Sequence, residues 1–157
     1  MKKTILYFSI LTILGLSACK KETKNEIDTE YPTIDISAAN AFPKQCSTVS
    51  RGETFTFRAL LNDNTALGSL SLDIHHNFDH HTHSTEVETC SMESTKAPVK
   101  PFLLIKSFPI PADQKSFLME QQITVPSDID PGDYHFMIRL TDKEGWQTIK
   151  GLSIKIK

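Results

Sequence analysis

The chain is poor in tryptophan and glycine, and it has no stretch of sustained helical periodicity. One tryptophan and six glycines occur in 157 residues. Gly52, Gly68, Gly132, Gly145 and Gly151 stand as isolated punctuation, so no glycine-rich loop is available to cradle a phosphate. No strand–turn–helix elbow marks a serine or cysteine as a nucleophile. An excess of either charge is also missing. The 17 Lys and Arg against 19 Asp and Glu give a net charge of −2 with no basic stripe, which excludes nucleic acid as a partner. Beyond the N-terminus, no apolar run is long enough to cross a bilayer as a helix. The lone Trp146 follows Gly145 in a hairpin and reads as packing at the sandwich edge, because a sugar-stacking platform uses several exposed aromatics.

The N-terminus carries an address. Lys2 and Lys3 precede an apolar stretch from Ile5 to Leu16 that is too short to span a membrane stably. It ends in Leu16-Ser17-Ala18-Cys19, which resembles the lipobox of bacterial lipoproteins. The resemblance implies that residues 1–18 are a signal peptide and that Cys19 carries lipid. The following KKETKNEIDTE cannot bury itself, so residues 19–31 read as the lipidated cysteine and a flexible tether. Lys20 in place of aspartate favours the outer membrane, facing the periplasm or the cell surface. Residues 32–157 remain as one domain of ordinary size.

With Cys19 lipidated, Cys46 and Cys90 are left. In an oxidising envelope compartment they are expected to form a disulfide, closing a loop of about 45 residues. A competing reading places Cys90 among metal ligands.

Short alternating segments punctuated by turns indicate an all-β chain. Phe55, Phe57, Ala59 and Leu61 alternate with more polar neighbours, and Asn62-Asp63-Asn64 is a turn signal. Leu70, Leu72 and Ile74 form the next strand, Leu118 to Val125 another. Tyr134, Phe136, Ile138 and Leu140 follow Pro131-Gly132-Asp133, and Leu152, Ile154 and Ile156 end the chain. The prolines 98, 101, 109 and 111, with Phe102 and Phe108, mark an irregular or edge region. This spacing predicts an antiparallel β-sandwich. The segment 123–157 resembles the end of bacterial immunoglobulin-like domains, with a proline after one strand, a PGDY turn and a D-x-x-G hairpin.

Five of the six histidines, His75, His76, His80, His81 and His83, fall in the run DIHHNFDHHTHS together with Asp73 and Asp79. Imidazole is the commonest transition-metal ligand and titrates near neutral pH. If Leu70, Leu72 and Ile74 face the core, Asp73 and His75 face outward. By the same alternation, His135 and Met137 face outward from the later strand. In an immunoglobulin-like topology these two strands would be neighbours in one sheet, which would make His75 and His135 cross-strand partners and return the sixth histidine to the other five. The candidate ligands are therefore His75, His76, Asp79, His80, His81, His83 and His135, with Asp79 a ligand or an orienting partner. Zinc would accept three histidines and a carboxylate or water; copper(II) would take a flatter set, and Met137 would suit copper(I). Competing readings are a structural histidine loop, a pH-sensing loop and a partner-binding face. His75-His76-Asn77-Phe78-Asp79-His80 comes close to the H-x-H-x-D-H signature of metallo-β-lactamase-like hydrolases, but Asn77 stands where a histidine belongs and no helical pattern is present.

The chain from about Pro32 onward, including HHNFDHHTHS, resembles an uncharacterised family of Bacteroidota lipoproteins, domain of unknown function 4625. That resemblance implies the fold and the envelope location and carries no activity. The expectation is a lipid-anchored, non-enzymatic envelope protein presenting a histidine-rich site for zinc or copper. Its membrane contact runs through the N-terminal lipid, and an envelope protein is a candidate partner. The alternative is a non-metal adhesion or assembly module that works beside an outer-membrane complex or on an extracellular ligand.

Overall fold

The computed structural model describes residues 27–83 and 90–157; residues 1–18, Cys19 and most of the tether lie outside them. The described residues contain eight strands and no helix. In chain order the strands are β1 (Thr33–Asp35), β2 (Ser47–Val49), β3 (Thr54–Asn62), β4 (Leu67–His76), β5 (Leu104–Pro109), β6 (Ser116–Thr124), β7 (Gly132–Asp142) and β8 (Gln147–Ile156). They form two sheets, one ordered β1-β3-β6 and the other β2-β8-β7-β4-β5.

The period-2 pattern explains how the two sheets meet. Phe57 and Leu61 of β3 face Leu70, Leu72 and Ile74 of β4 and Phe136, Ile138 and Leu140 of β7, and all eight are fully buried. Each such side chain contributes about 1.5–3 kcal/mol of burial, set against the entropy of ordering the chain. Phe57 and Phe136 stack across the sandwich with ring centroids 5.6 Å apart.

The structure corrects the purely antiparallel expectation at one pairing: β2 runs parallel to β8. β1 and β2 have only three residues each, too few for alternation to announce them. The proline-rich segment contains β5, an edge strand against β4, as the edge reading anticipated. Residues before Pro32 also pack on the domain. Asp28 is buried, Asn64 donates to its carboxylate, and the Trp146 indole donates to its carbonyl. Trp146 stacks edge-on against Tyr31 at 5.0 Å, so it fastens the entering segment to the domain.

Cys46 and Cys90 form a disulfide with Cα atoms 5.5 Å apart, which removes Cys90 from any ligand set. It fixes the far end of the segment that follows β4. The near end is fixed by Phe78, buried edge-on against Tyr134, and by the Asn77 amide donating to the Asp133 carbonyl at 2.8 Å. Gly132 makes room for this anchor. Its φ is +134°, and a Cβ there would lie 2.9 Å from the Phe78 ring.

Candidate metal centre

The antiparallel register of β4 and β7 sets His75 opposite His135 and Asp73 opposite Met137. This is the cross-strand relation expected if the two strands are neighbours, as in an immunoglobulin-like topology. All four residues lie on the face of the five-stranded sheet away from the core. His135 is nevertheless fully buried, because the chain after β4 folds back over this face. His135 Nε2 donates to the His81 carbonyl at 3.0 Å, which holds that returning segment in place.

Four histidines converge there. One ring nitrogen each from His75, His81, His83 and His135 lies within 4.8 Å of the other three. His75 Nε2 and His83 Nε2 are 3.2 Å apart. The six ring-to-ring centroid distances all fall between 4.5 and 5.5 Å.

These distances discriminate between coordination geometries. With a metal–nitrogen bond of about 2.0–2.1 Å, tetrahedral ligand nitrogens stand about 3.3 Å apart. Ring centroids, roughly 1.1 Å farther out, would be about 5.2 Å apart for all six pairs. A square-planar set would instead give four pairs near about 4.5 Å and two near about 6.4 Å. The longest pair here is 5.5 Å, between His75 and His81, so the cluster has the tetrahedral pattern.

Hydrogen bonds fix which nitrogen three of the four rings present when neutral. His75 Nδ1 donates to Asp73 Oδ1 at 2.8 Å, and His81 Nδ1 donates to Asp79 Oδ1 at 2.6 Å. Both therefore carry their lone pair on Nε2, and His135, donating through Nε2, carries its own on Nδ1. The His81 hydrogen bond is also the main cause holding the Asp79 carboxyl below its ordinary range. Carboxylates so placed raise the basicity of a ligating imidazole and lock its orientation.

Not all the sequence candidates join the group. His76 follows the alternation to the opposite face of β4, where its ring packs on Phe78 at 4.9 Å. His80 sits in the turn with φ +59°, and its Nε2 donates to the Glu93 carbonyl at 2.9 Å. Neither belongs to the four-histidine group, and Asp79 serves as an orienting partner of His81. The matching part played by Asp73 was open to sequence reasoning, since it lies two residues before His75 on the same strand face. The anchoring by Phe78 had no comparable signal.

A groove of about 320 Å³ opens beside the cluster along the outer face of the sheet, where Asp73 and His83 meet Ile105, Met137, Arg139 and Ile149. Ile105 on the edge strand is 70% exposed.

Residues 17–157 match the family described as a domain of unknown function (DUF4625), and the chain belongs to that family. No curated protein matches it significantly.

Proposed function

We propose that this member of the domain of unknown function (DUF4625) family is a lipid-anchored envelope protein that binds one divalent transition metal ion, zinc, through His75, His81, His83 and His135. The near-equal spacing of the four imidazoles carries the reading. It suits zinc, which is tetrahedral with nitrogen ligands, better than copper(II), which favours a flatter arrangement. Four protein nitrogens fill the coordination sphere and leave no open position for an activated water, so the centre acts in metal capture, delivery or metal-stabilised recognition and not in catalysis.

The immunoglobulin-like assignment draws support from strand order and from Tyr134. Its hydroxyl donates to the Asp130 carbonyl at 2.6 Å and accepts the Phe102 amide at 3.1 Å. A tyrosine near the start of the penultimate strand, bonded back to the preceding turn, is a recurrent corner of that fold. The envelope location rests on the lipobox-like Leu16 to Cys19 and on the Cys46–Cys90 disulfide, which suits an oxidising compartment.

A second reading, recognition of an envelope partner, is favoured by the groove beside the metal centre. Exposed Ile105 and Ile149 flank Arg139 there, offering an apolar contact with a positive end.

The test is the metal content of the chain purified untagged from its native envelope. About one equivalent of zinc, bound through four nitrogens by X-ray absorption and lost in the His81→Ala/His83→Ala variant, supports the centre. Metal-free protein that neither takes up added zinc nor gains thermal stability from it overturns the assignment. Incorporation of labelled lipid that stops in Cys19→Ala tests the anchor separately.

A further inference from the structure

A second gathering of ligand atoms lies at the opposite end of β7, seven residues and roughly 23 Å along the strand from His135. Asp142 closes β7, Glu144 sits in the following turn, and Asp28 arrives from the entering segment. One carboxylate oxygen of each lies within 4.8 Å of the other two.

The two aspartates are only half satisfied. Asp28 Oδ1 accepts the Glu30 amide at 3.0 Å and the Asn64 side-chain amide at 2.9 Å. Asp142 Oδ1 accepts the Gly145 and Trp146 amides at 2.6 and 2.7 Å. Their Oδ2 atoms are buried with no hydrogen-bond partner among the described residues. The residues themselves are 6% and 4% exposed. Nearby lysines are turned elsewhere: Lys143 pairs with Asp113 at 3.5 Å, and Lys115 donates to the Asn64 carbonyl at 2.7 Å. Carboxylates brought this close repel one another, and buried oxygens without partners forgo solvation. A cation removes both penalties.

We propose that Asp28, Asp142 and Glu144 form a calcium site that clamps the start of the domain to the β7–β8 turn. The donor set is all oxygen, as a hard cation requires, and exposed Glu144 leaves one side open for the waters that complete six to eight ligands. Magnesium fits less well, since it demands near-ideal octahedral geometry and gives up water reluctantly. The ion reinforces the contacts already made there, the Trp146 indole to the Asp28 carbonyl and the Tyr31–Trp146 packing. Calcium thereby holds residues 28–31 against the β7–β8 turn. The site shares no residue with the histidine centre, so either can fail without the other.

The sole tryptophan is the reporter, two residues from Glu144. Titrating the full chain with calcium alone should give a saturable change in Trp146 fluorescence with a midpoint of about 0.1–1 mM, in the range of extracellular calcium modules. Glu144→Gln, at an exposed position, and Asp142→Asn, which keeps an oxygen for the two turn amides, should each raise the midpoint at least tenfold. His83→Ala should leave it unchanged. A response absent up to about 10 mM calcium, retained in both acidic-residue variants, or equalled by magnesium would overturn the proposal.

Discussion

Replacing His83 by alanine should weaken metal affinity about a hundredfold while sparing the sandwich. His83 is half-buried, belongs to no strand, and meets the other three rings at 4.5–5.3 Å. A structural zinc site contributes about 10–16 kcal/mol, so one ligand in four stands for roughly 3 kcal/mol, or about two orders of magnitude in affinity. With zinc in excess, that difference becomes lost stability of the loaded protein. At about 3–5 °C per kcal/mol for a domain of this size, Tm with zinc should fall by about 10–15 °C. Without zinc, the variant and the parent should melt within a few degrees of each other. Thermal unfolding of both chains, with chelator and with zinc, makes the measurement. His80→Ala is the control: its imidazole bonds the Glu93 carbonyl, so any change should be equal in both conditions. An undiminished zinc-dependent rise in His83→Ala, or an equal loss in His80→Ala, would refute the four-histidine centre.

Asp73→Asn should weaken zinc binding about 10- to 100-fold with little change in the metal-free melting point, since it alters only the partner of His75 Nδ1; competition against a chromogenic chelator reads this. The Cys46→Ser/Cys90→Ser variant should lose about 4 kcal/mol in denaturant unfolding, the chain-entropy value for a sequence separation of 44. Asp130 accepts the Val99 and Lys100 amides at 2.7 Å, and the Val99 bond is the largest cause holding its carboxyl below its ordinary range. A pKa depressed in the folded state contributes stability above the unfolded value and loses it as pH falls through the folded one. The Tm difference between the parent and Asp130→Asn should therefore be present at pH 7 and shrink as the pH falls below the ordinary carboxylate range; a gap that widens on acidification would contradict this.

The sequence made the long strands legible because their apolar residues alternate over seven positions, as in Phe55 to Leu61 and Tyr134 to Leu140. Alternation also told that His75 and His135 face away from the core, while their pairing followed from the immunoglobulin-like topology, in which these two strands are neighbours. β1 and β2 offered three residues each, and the parallel pairing of β2 with β8 depends on where a connection ends, which no local pattern records. Within the histidine run, His76 could have been set aside by parity alone, because it lies one residue past His75 on the same strand. His80, His81 and His83 could not be sorted that way. Their directions depend on the Phe78 anchor, the positive φ at His80 and the disulfide, all of which are tertiary. The acidic cluster was hidden by distance, with Asp28 and Asp142 more than a hundred residues apart and the first assigned to a tether.

The sheet that carries His75 and His135 is a single backbone thick, with the apolar core against one side and the imidazoles against the other. Successive residues of β4 and β7 therefore answer to different selection. Along Leu72-Asp73-Ile74-His75 and His135-Phe136-Met137-Ile138, every second substitution should register as a change in folding and the ones between as a change in what the outer face can bind. A one-residue slip of either strand would exchange the two sets, burying imidazoles in the core and setting leucines at the proposed metal site. Correct pairing of β4 with β7 is thus a condition for the four-histidine cluster as much as for the core, and the fidelity of one hydrogen-bonded ladder governs both.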